Sequence, residues 1–83
     1  MKLVYFAWVR ERIGLSEEEV ELPADVRTVA DLLAWQQRRG ERYAHAFEKA
    51  PFIRVALDRS HARADQPVTG AREIAFFPPM TGG

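Results

Sequence analysis

The chain ends in FFPPMTGG, residues 76–83, and this segment holds the group best suited to chemistry. Pro78 and Pro79 prevent a preceding strand from continuing, because proline has no backbone N–H and a fixed φ. Gly82 and Gly83 have no Cβ, so the terminal carboxylate is unhindered and can enter a narrow channel. ATP can convert such a carboxylate into an acyl-adenylate that accepts sulfur, nitrogen or oxygen nucleophiles. The tail therefore predicts a terminal carboxylate that a partner enzyme activates.

The side chains offer few alternatives for catalysis. The chain has no cysteine, which excludes disulfides, thiolate metal sites and thiol chemistry of its own. His45 and His61 are far apart and lack ligand spacing, so we predict no metal site. No nucleophile and base stand at a suggestive spacing, so we predict that the protein catalyses no reaction alone.

Length and composition describe a small globular domain. The 83 residues predict one domain, 1–83, with a flexible tail at 80–83. Twelve basic residues balance twelve acidic ones, which gives no global field for nucleic acid or an anionic membrane. The longest apolar run, Leu3–Val9, is too short to span a bilayer and lacks the layout of a signal peptide. We therefore expect a soluble cytoplasmic protein.

Hydrophobic patterns predict an α+β fold in which a small mixed sheet grasps one main helix. Thr28 followed by Asp31 marks a helix start, with Gly40 as its end, and Gly14 closes a helical turn. A second short helix lies within residues 41–50. The predicted strands are Lys2–Val9, Glu17–Leu22, Phe52–Asp58, His61–Ala64 and Arg72–Phe77. The acidic run at residues 17–19 is interpreted as a solvated strand edge.

Side-chain alternation along the strands indicates which face of the sheet is open. Lys2 and Glu73 mark the face that the helix does not cover, since successive side chains point to opposite faces. Phe6, Trp8 and Phe77 share that face and predict an exposed apolar patch, which on a small domain usually marks a partner site. The alternative is that a long loop covers them.

The ending FFPPMTGG, the block FAWVRERIG (residues 6–14) and the loop PVTG (residues 67–70) resemble the small subunits of molybdopterin synthase, the MoaD-like sulfur carriers. The resemblance covers nearly the whole chain and implies a ubiquitin-like β-grasp fold. It also implies that an adenylating enzyme (MoeB-like) uses ATP and Mg²⁺ to activate Gly83, which then becomes a thiocarboxylate. Docked in the large synthase subunit (MoaE-like), the tail would deliver sulfur to cyclic pyranopterin monophosphate, which reaches the carrier only through that subunit.

The resemblance also implies an apolar face beside the tail that docks both partners. Arg10 matches an arginine of the family motif and would pair with an acid on a partner, or locally with Glu11. His61 stands where relatives often carry an aliphatic residue. The predicted partner contacts are Phe6, Trp8, Arg10, His61, Phe77, Pro78 and Pro79, and the predicted tail is Met80, Thr81, Gly82 and the reactive Gly83.

Three other functions remain open at this point. The first is sulfur delivery to another product, such as the thiamin thiazole or a tRNA base, although thiamin carriers tend to be shorter and to lack the FFPP ending. The second is a protein modifier joined to lysines through Gly83. The third is a β-grasp binding module with an incidental tail.

Overall fold

A mixed β-sheet packed on helices forms the framework of the computed structural model, which describes residues 1–79. Within these residues the sheet has five strands in the order β2-β1-β5-β3-β4. The strands are β1 (Lys2–Tyr5), β2 (Glu17–Glu19), β3 (Arg54–Leu57), β4 (Ser60–Ala62) and β5 (Glu73–Phe77). The helices are α1 (Ala7–Ile13), α2 (Val29–Gln37) and α3 (Glu41–Ala46), with a 3₁₀ turn at Ala50–Phe52. β1 and β5 are parallel and the other neighbours antiparallel, which confirms the predicted α+β class and β-grasp arrangement.

The first strand is shorter than predicted, because the chain turns into a helix after Phe6. Ala7 has a left-handed φ of 53°, which breaks the extended conformation. Val9 and Ile13, four residues apart on α1, are both fully buried, so this segment packs by helical rather than strand spacing. Gly14 ends the helix with a φ of 89°, and its N–H donates to the Arg10 carbonyl at 2.8 Å, as predicted for a glycine cap.

Helix α2 begins where the sequence predicts. The Thr28 side chain accepts a hydrogen bond from the Asp31 N–H at 3.2 Å, and the Asp31 carboxylate accepts one from the Thr28 N–H at 3.2 Å. This reciprocal pair is a capping box, which satisfies N–H groups that the helix start leaves unpaired. Val29 and Leu32 are buried against the sheet. The helix ends at Gln37, before the predicted Gly40.

Aromatic contacts centre the core on Phe76. Its ring stacks on Tyr5 at 5.5 Å and meets the ring of Phe47 edge-on at 5.3 Å. All three side chains are almost fully buried, together with Leu3 and Ile74. Because Leu3, Tyr5, Ile74 and Phe76 face the helices, the predicted alternation of β1 and β5 is confirmed.

A polar network attaches the outer strand β2 to the helices, and it corrects the interpretation of the acidic run as solvated. Glu18 points to the helical side of the sheet, where it accepts hydrogen bonds from Tyr5 Oη (2.6 Å), Tyr43 Oη (3.0 Å) and Arg39 (2.8 Å). Burial raises the pKa of Glu18, but the hydrogen bonds from Arg39, Tyr5 and Tyr43 outweigh it and lower the pKa below the usual 4.5. Side chains alternate between the two faces of a sheet, so the middle residue of a three-residue strand points to the other face from its two neighbours. This explains why Glu18 alone of the three glutamates points to the helical side.

The other strand boundaries differ by one to three residues. β2 ends at Glu19, because the chain then leaves the sheet before Pro23. β3 begins at Arg54, since the 3₁₀ turn occupies Ala50–Phe52. β4 begins at Ser60, one residue earlier than predicted. β5 begins at Glu73, one residue later than predicted.

Candidate functional site

The end of β5 is where the chain leaves the sheet towards its C-terminus. Phe77, the last residue of the strand, lies opposite Arg54, the first residue of β3. On the other side, the Phe6 N–H donates to the Phe76 carbonyl at 3.0 Å. Pro78 and Pro79 follow and cannot donate to a neighbouring strand, so the ladder stops. Both prolines are half-buried, and they follow a strand that lies between β1 and β3.

The predicted tail itself, Met80, Thr81, Gly82 and Gly83, lies outside the described residues. The roles assigned to these four residues therefore stay predictions. The surface from which the segment starts is described, and it consists of the open face of the sheet and the turns at its end.

The open face of the sheet carries a shallow apolar cavity beside the start of the tail. Val4, Ala75 and Ala56 lie side by side across β1, β5 and β3, on the face opposite the core. With Phe6, Arg59 and Glu73 they line a cavity of about 260 Å³. Phe6 is 49% exposed and Phe77 is half-buried, so both aromatic side chains remain available to a partner, and within the described residues no loop covers Phe6.

His61 joins this surface from the outer strand β4. Its ring lies 5.5 Å from that of Phe77, at an interplanar angle of 89°. His61 lies opposite Ala56, so it extends the row of open-face residues by one strand. His61 and Phe77 are thus in contact on the open face, whose cavity Phe6 lines, and the contact of all three with a partner stays a prediction.

Trp8 is not on this face, and its predicted placement is wrong. The prediction treated Trp8 as a strand residue, whereas it belongs to α1, where strand alternation does not apply. Its side chain is half-buried against the core, and the Arg12 guanidinium lies 4.7 Å above its ring. A contact between Trp8 and a partner stays a prediction, but the open face cannot provide it.

Arg10 lies exposed on α1, one helical turn from the end of β1. Its side chain forms no ion pair with Glu11 or any other acid within residues 1–79. The local pairing that was left open is therefore absent from the described part of the chain.

Phe52 is a surface residue that the sequence reasoning missed. It is 62% exposed, the highest value among the large hydrophobic residues exposed in the described chain. It ends the 3₁₀ turn two residues before Arg54, which lies opposite Phe77, so it stands at the same end of the sheet as the tail. Pro51, directly before it, is the signal that this segment is a turn rather than a strand. Phe6 and Phe52 thus lie, on two different segments, at the end of the sheet where β5 ends.

The far end of the open face is charged instead of aromatic. Lys2 Nζ lies 3.0 Å from Glu17 Oε2 and 4.0 Å from Glu73 Oε1. The hydrogen bond to Glu17, with its charge, raises the pKa of Lys2. Apolar surface is therefore concentrated at the end of the face from which the tail starts.

Two kinds of feature are absent from the described part of the chain. No group of three or more histidine, cysteine, aspartate or glutamate side chains within residues 1–79 is placed to hold a metal ion. None of the helices there is long and apolar enough to cross a membrane.

Comparisons with known proteins identify the family. The model of the ThiS family matches residues 3–83. This chain belongs to the ThiS family. It is 37% identical to the molybdopterin synthase sulfur carrier subunit of Escherichia coli, over 100% of this chain and 99% of that protein. It is 32% identical to the protein of the same name from Haemophilus influenzae, again over 100% and 99%.

Solved structures agree with the family assignment. The crystal structure of SAMP1 from Haloferax volcanii matches with a TM-score of 0.71 and 25% identity, over 100% of this chain and 98% of that one. The fold of this chain is therefore similar to that of SAMP1 over nearly the whole length of both chains.

Proposed function

We propose that this protein is the sulfur-carrier subunit of a molybdopterin synthase. The observation that carries the proposal is that the FFPP-x-x-GG ending follows β5, whose last residue, the half-buried Phe77, lies at the same end of the sheet as the exposed Phe6. The full-length identity of 37% to a protein named as such a subunit supports it. A carrier needs a docking surface and a tail that a partner can draw in, and here β5 ends at the edge of the proposed docking surface, with two prolines between it and the Met80–Gly83 ending in sequence.

The proposed cycle uses the carboxyl group of Gly83. The carboxylate attacks the α-phosphorus of ATP in an adenylating partner, which releases pyrophosphate and forms an acyl-adenylate. Mg²⁺ in that partner would neutralise the phosphate charge. A sulfur nucleophile then displaces AMP and leaves a Gly83 thiocarboxylate. In the large subunit, the sulfur passes to cyclic pyranopterin monophosphate, and water restores the carboxylate.

The described residues contribute binding rather than chemistry to this cycle. Phe6, Phe77 and the cavity beside them offer apolar surface that a partner can bury, at about 25 cal/mol per Å². Pro78 and Pro79 have no N–H to donate, so they do not extend the strand ladder beyond Phe77. Arg10 adds an exposed cation that can pair with an acid on the large subunit.

A titration tests the proposal. A dithiolene contains two sulfur atoms and each carrier delivers one, so two charged carriers are required for each product. Pre-charged protein is titrated against a fixed amount of pyranopterin precursor, with the large subunit present and without a recharging system. We expect an end point near two carriers for each molybdopterin. Many turnovers from one charged copy, or no transfer at all, would contradict the proposal.

The alternative functions predict different fates for Gly83. Sulfur delivery to a thiazole or a tRNA base predicts that the charged protein is consumed by those systems and not by the synthase. A protein modifier predicts Gly83 joined to lysines of other proteins. A plain binding module predicts that no adenylating enzyme charges Gly83.

A further inference from the structure

The turn between β3 and β4 carries an arginine in a conformation that arginine rarely adopts. Asp58 and Arg59 form the whole connection, since Leu57 lies opposite Ser60 in the register of the two strands. Their φ angles are 48° and 72°, so both residues are left-handed, as a two-residue type I′ turn requires. Aspartate followed by glycine is a preferred pair for such a turn, and Arg59 stands where glycine is favoured.

The fold explains the aspartate of this turn but not the arginine. The Asp58 carboxylate accepts hydrogen bonds from the N–H groups of Arg72 and Glu73, both at 2.9 Å, which connect the turn to the start of β5. The Arg59 side chain is exposed and takes no part in the core. A residue held in a strained conformation without a contact that the fold needs indicates a role outside the fold.

Arg59 borders the cavity of about 260 Å³ on the open face of the sheet. The floor of this cavity is apolar, and Phe6 lines it at the end of the sheet where β5 ends. Arg59 and Glu73 line the other end, because the turn that carries Arg59 lies beside the start of β5, where the Asp58 N–H donates to the Glu73 carbonyl at 2.9 Å. The cavity thus combines an apolar floor with a guanidinium at one end.

The carboxylates nearest to Arg59 are engaged with other groups. Asp58 accepts the two backbone N–H groups at the start of β5. Glu73 lies 4.0 Å from Lys2 Nζ, and Lys2 Nζ in turn lies 3.0 Å from Glu17. Within residues 1–79, Arg59 forms no ion pair with any carboxylate. Arg59 therefore offers the open face a cation that is available to a partner.

Covering the cavity, as the proposed function requires, changes the environment of this charge. A partner that buries Phe6 and the cavity also removes water from the Arg59 guanidinium. A guanidinium does not lose its proton in proteins, and a buried charge without a counter-ion is costly. The covering surface must therefore supply an acceptor. A carboxylate is the best match, because a guanidinium binds it through two parallel hydrogen bonds.

We propose, building on the proposed function, that Arg59 selects the surface of the large synthase subunit that docks on the open face. That surface presents a carboxylate to the Arg59 guanidinium and an apolar side chain to the cavity beside it. The ion pair fixes the orientation of the docked subunit, because Arg59 lies at one end of the cavity and the apolar Phe6 at the other. The chain as a whole has no net charge that could orient a partner, so a local charge does so.

Replacement of Arg59 by glycine tests the proposal, because it separates binding from folding. Arg59→Gly creates the aspartate–glycine pair that the turn prefers, so we expect the melting temperature to rise or to stay the same. The same variant should bind the large subunit roughly tenfold or more weakly, since it leaves the carboxylate of the partner without its cation. Thermal unfolding and calorimetric titration measure the two effects. A structural role for Arg59 predicts instead that stability and affinity fall together.

Further variants identify the charge as the cause. Arg59→Lys keeps the charge but loses the planar fork, so its affinity should lie between those of the native chain and Arg59→Gly. Arg59→Glu places one carboxylate against another and should bind more weakly than Arg59→Gly. Arg38→Glu is the control for net charge, because Arg38 is exposed at the end of α2, and it should bind like the native chain. High salt should reduce the difference in affinity between the native chain and Arg59→Gly.

Three results would overturn the proposal. The first is equal affinity of the native chain, Arg59→Gly and Arg59→Glu for the large subunit. The second is a loss of stability in Arg59→Gly that accounts for its weaker binding. The third is weaker charging of Arg59→Gly by the adenylating enzyme with unchanged binding to the large subunit, since the carboxylate would then belong to the other partner. If the native chain itself does not bind the large subunit, the proposed function fails as well, so the two failures are distinguishable.

Discussion

The imidazole ring of His61 meets the phenyl ring of Phe77 edge-on, with their centroids 5.5 Å apart. His61 belongs to β4, the outer strand, and Phe77 ends β5, which is separated from β4 by β3. The contact therefore crosses the open face diagonally and fixes the last residue before Pro78. It connects the edge of the proposed docking face to the start of the tail.

Phe77 and its neighbour Phe76 provide a matched pair, because one faces the partner side and the other the core. Phe77→Asp should weaken binding to the large subunit by about 2–4 kcal/mol, the scale of a buried aromatic anchor, with a smaller loss of stability. Phe76→Ala should instead lower the free energy of unfolding by about 3–5 kcal/mol, because Phe76 is fully buried. Calorimetric titration and urea unfolding measure the two effects. Loss of folding in Phe77→Asp, with affinity retained by the folded fraction, would show that the faces are assigned wrongly.

Phe52 should contribute to partner binding although it lies outside the sheet. Phe52→Ser removes an aromatic side chain that is 62% exposed at the end of the sheet where β5 ends, so we expect affinity to fall by about 1 kcal/mol or more with little change in melting temperature. Leu15→Ser is the control, because Leu15 is also an exposed hydrophobic residue but follows α1. Equal effects of the two substitutions on affinity would mean that Phe52 contributes no more to partner binding than another exposed hydrophobic residue.

Glu18 should make stability depend on pH. Its pKa is lowered in the folded state, so the stabilisation is present above the unfolded value, ordinarily 4.5, and is lost as pH falls through the folded pKa. Glu18→Gln should lower stability at neutral pH by about 1–3 kcal/mol, because it weakens contacts to Arg39 and two tyrosines. It should also flatten the acid limb of the stability curve.

Urea unfolding across the acid range measures this curve. Glu17→Gln is the control, since its exposed ion pair with Lys2 contributes little. An unchanged acid limb in Glu18→Gln would contradict the role given to the network.

Removal of Gly83, or addition of one residue after it, should abolish sulfur transfer and leave the unfolding curve unchanged. In the proposed function the reactive group is the terminal carboxylate, and the core described within residues 1–79 does not include it. A reconstituted synthase assay measures the sulfur transfer, and thermal unfolding measures the stability. Full transfer by the shortened chain would rule out a carrier role for Gly83.

The alternation of β1 and β5 could be predicted from the sequence, because Leu3, Tyr5, Ile74 and Phe76 follow period two and bury as a set. The helix start at Thr28 and Asp31 and the helix end at Gly14 could also be predicted, since capping depends on residues close together in sequence. The family resemblance then supplied the tail chemistry that no pattern in the core indicates.

Other features depended on tertiary structure. The run from Leu3 to Val9 suits a strand throughout, and nothing in Ala7 signals the left-handed φ that starts α1 and carries Trp8 off the sheet. Glu18 was indistinguishable from Glu17 and Glu19 until its partners Tyr5, Arg39 and Tyr43 were known. Phe52 was assigned to a strand because apolar residues continue beyond it, and only the pairing of Arg54 shows where β3 begins.

The intact mass of the protein purified from its native cell tests the carrier function most directly. The account predicts a fraction of molecules heavier than the unmodified chain by the difference between one sulfur and one oxygen atom, with the change mapped to Gly83. That fraction should disappear when the adenylating enzyme is deleted. The measurement is made in cells that synthesise molybdopterin actively and in which the large subunit is limiting. If Gly83 carries only the free carboxylate under these conditions, the carrier function is contradicted.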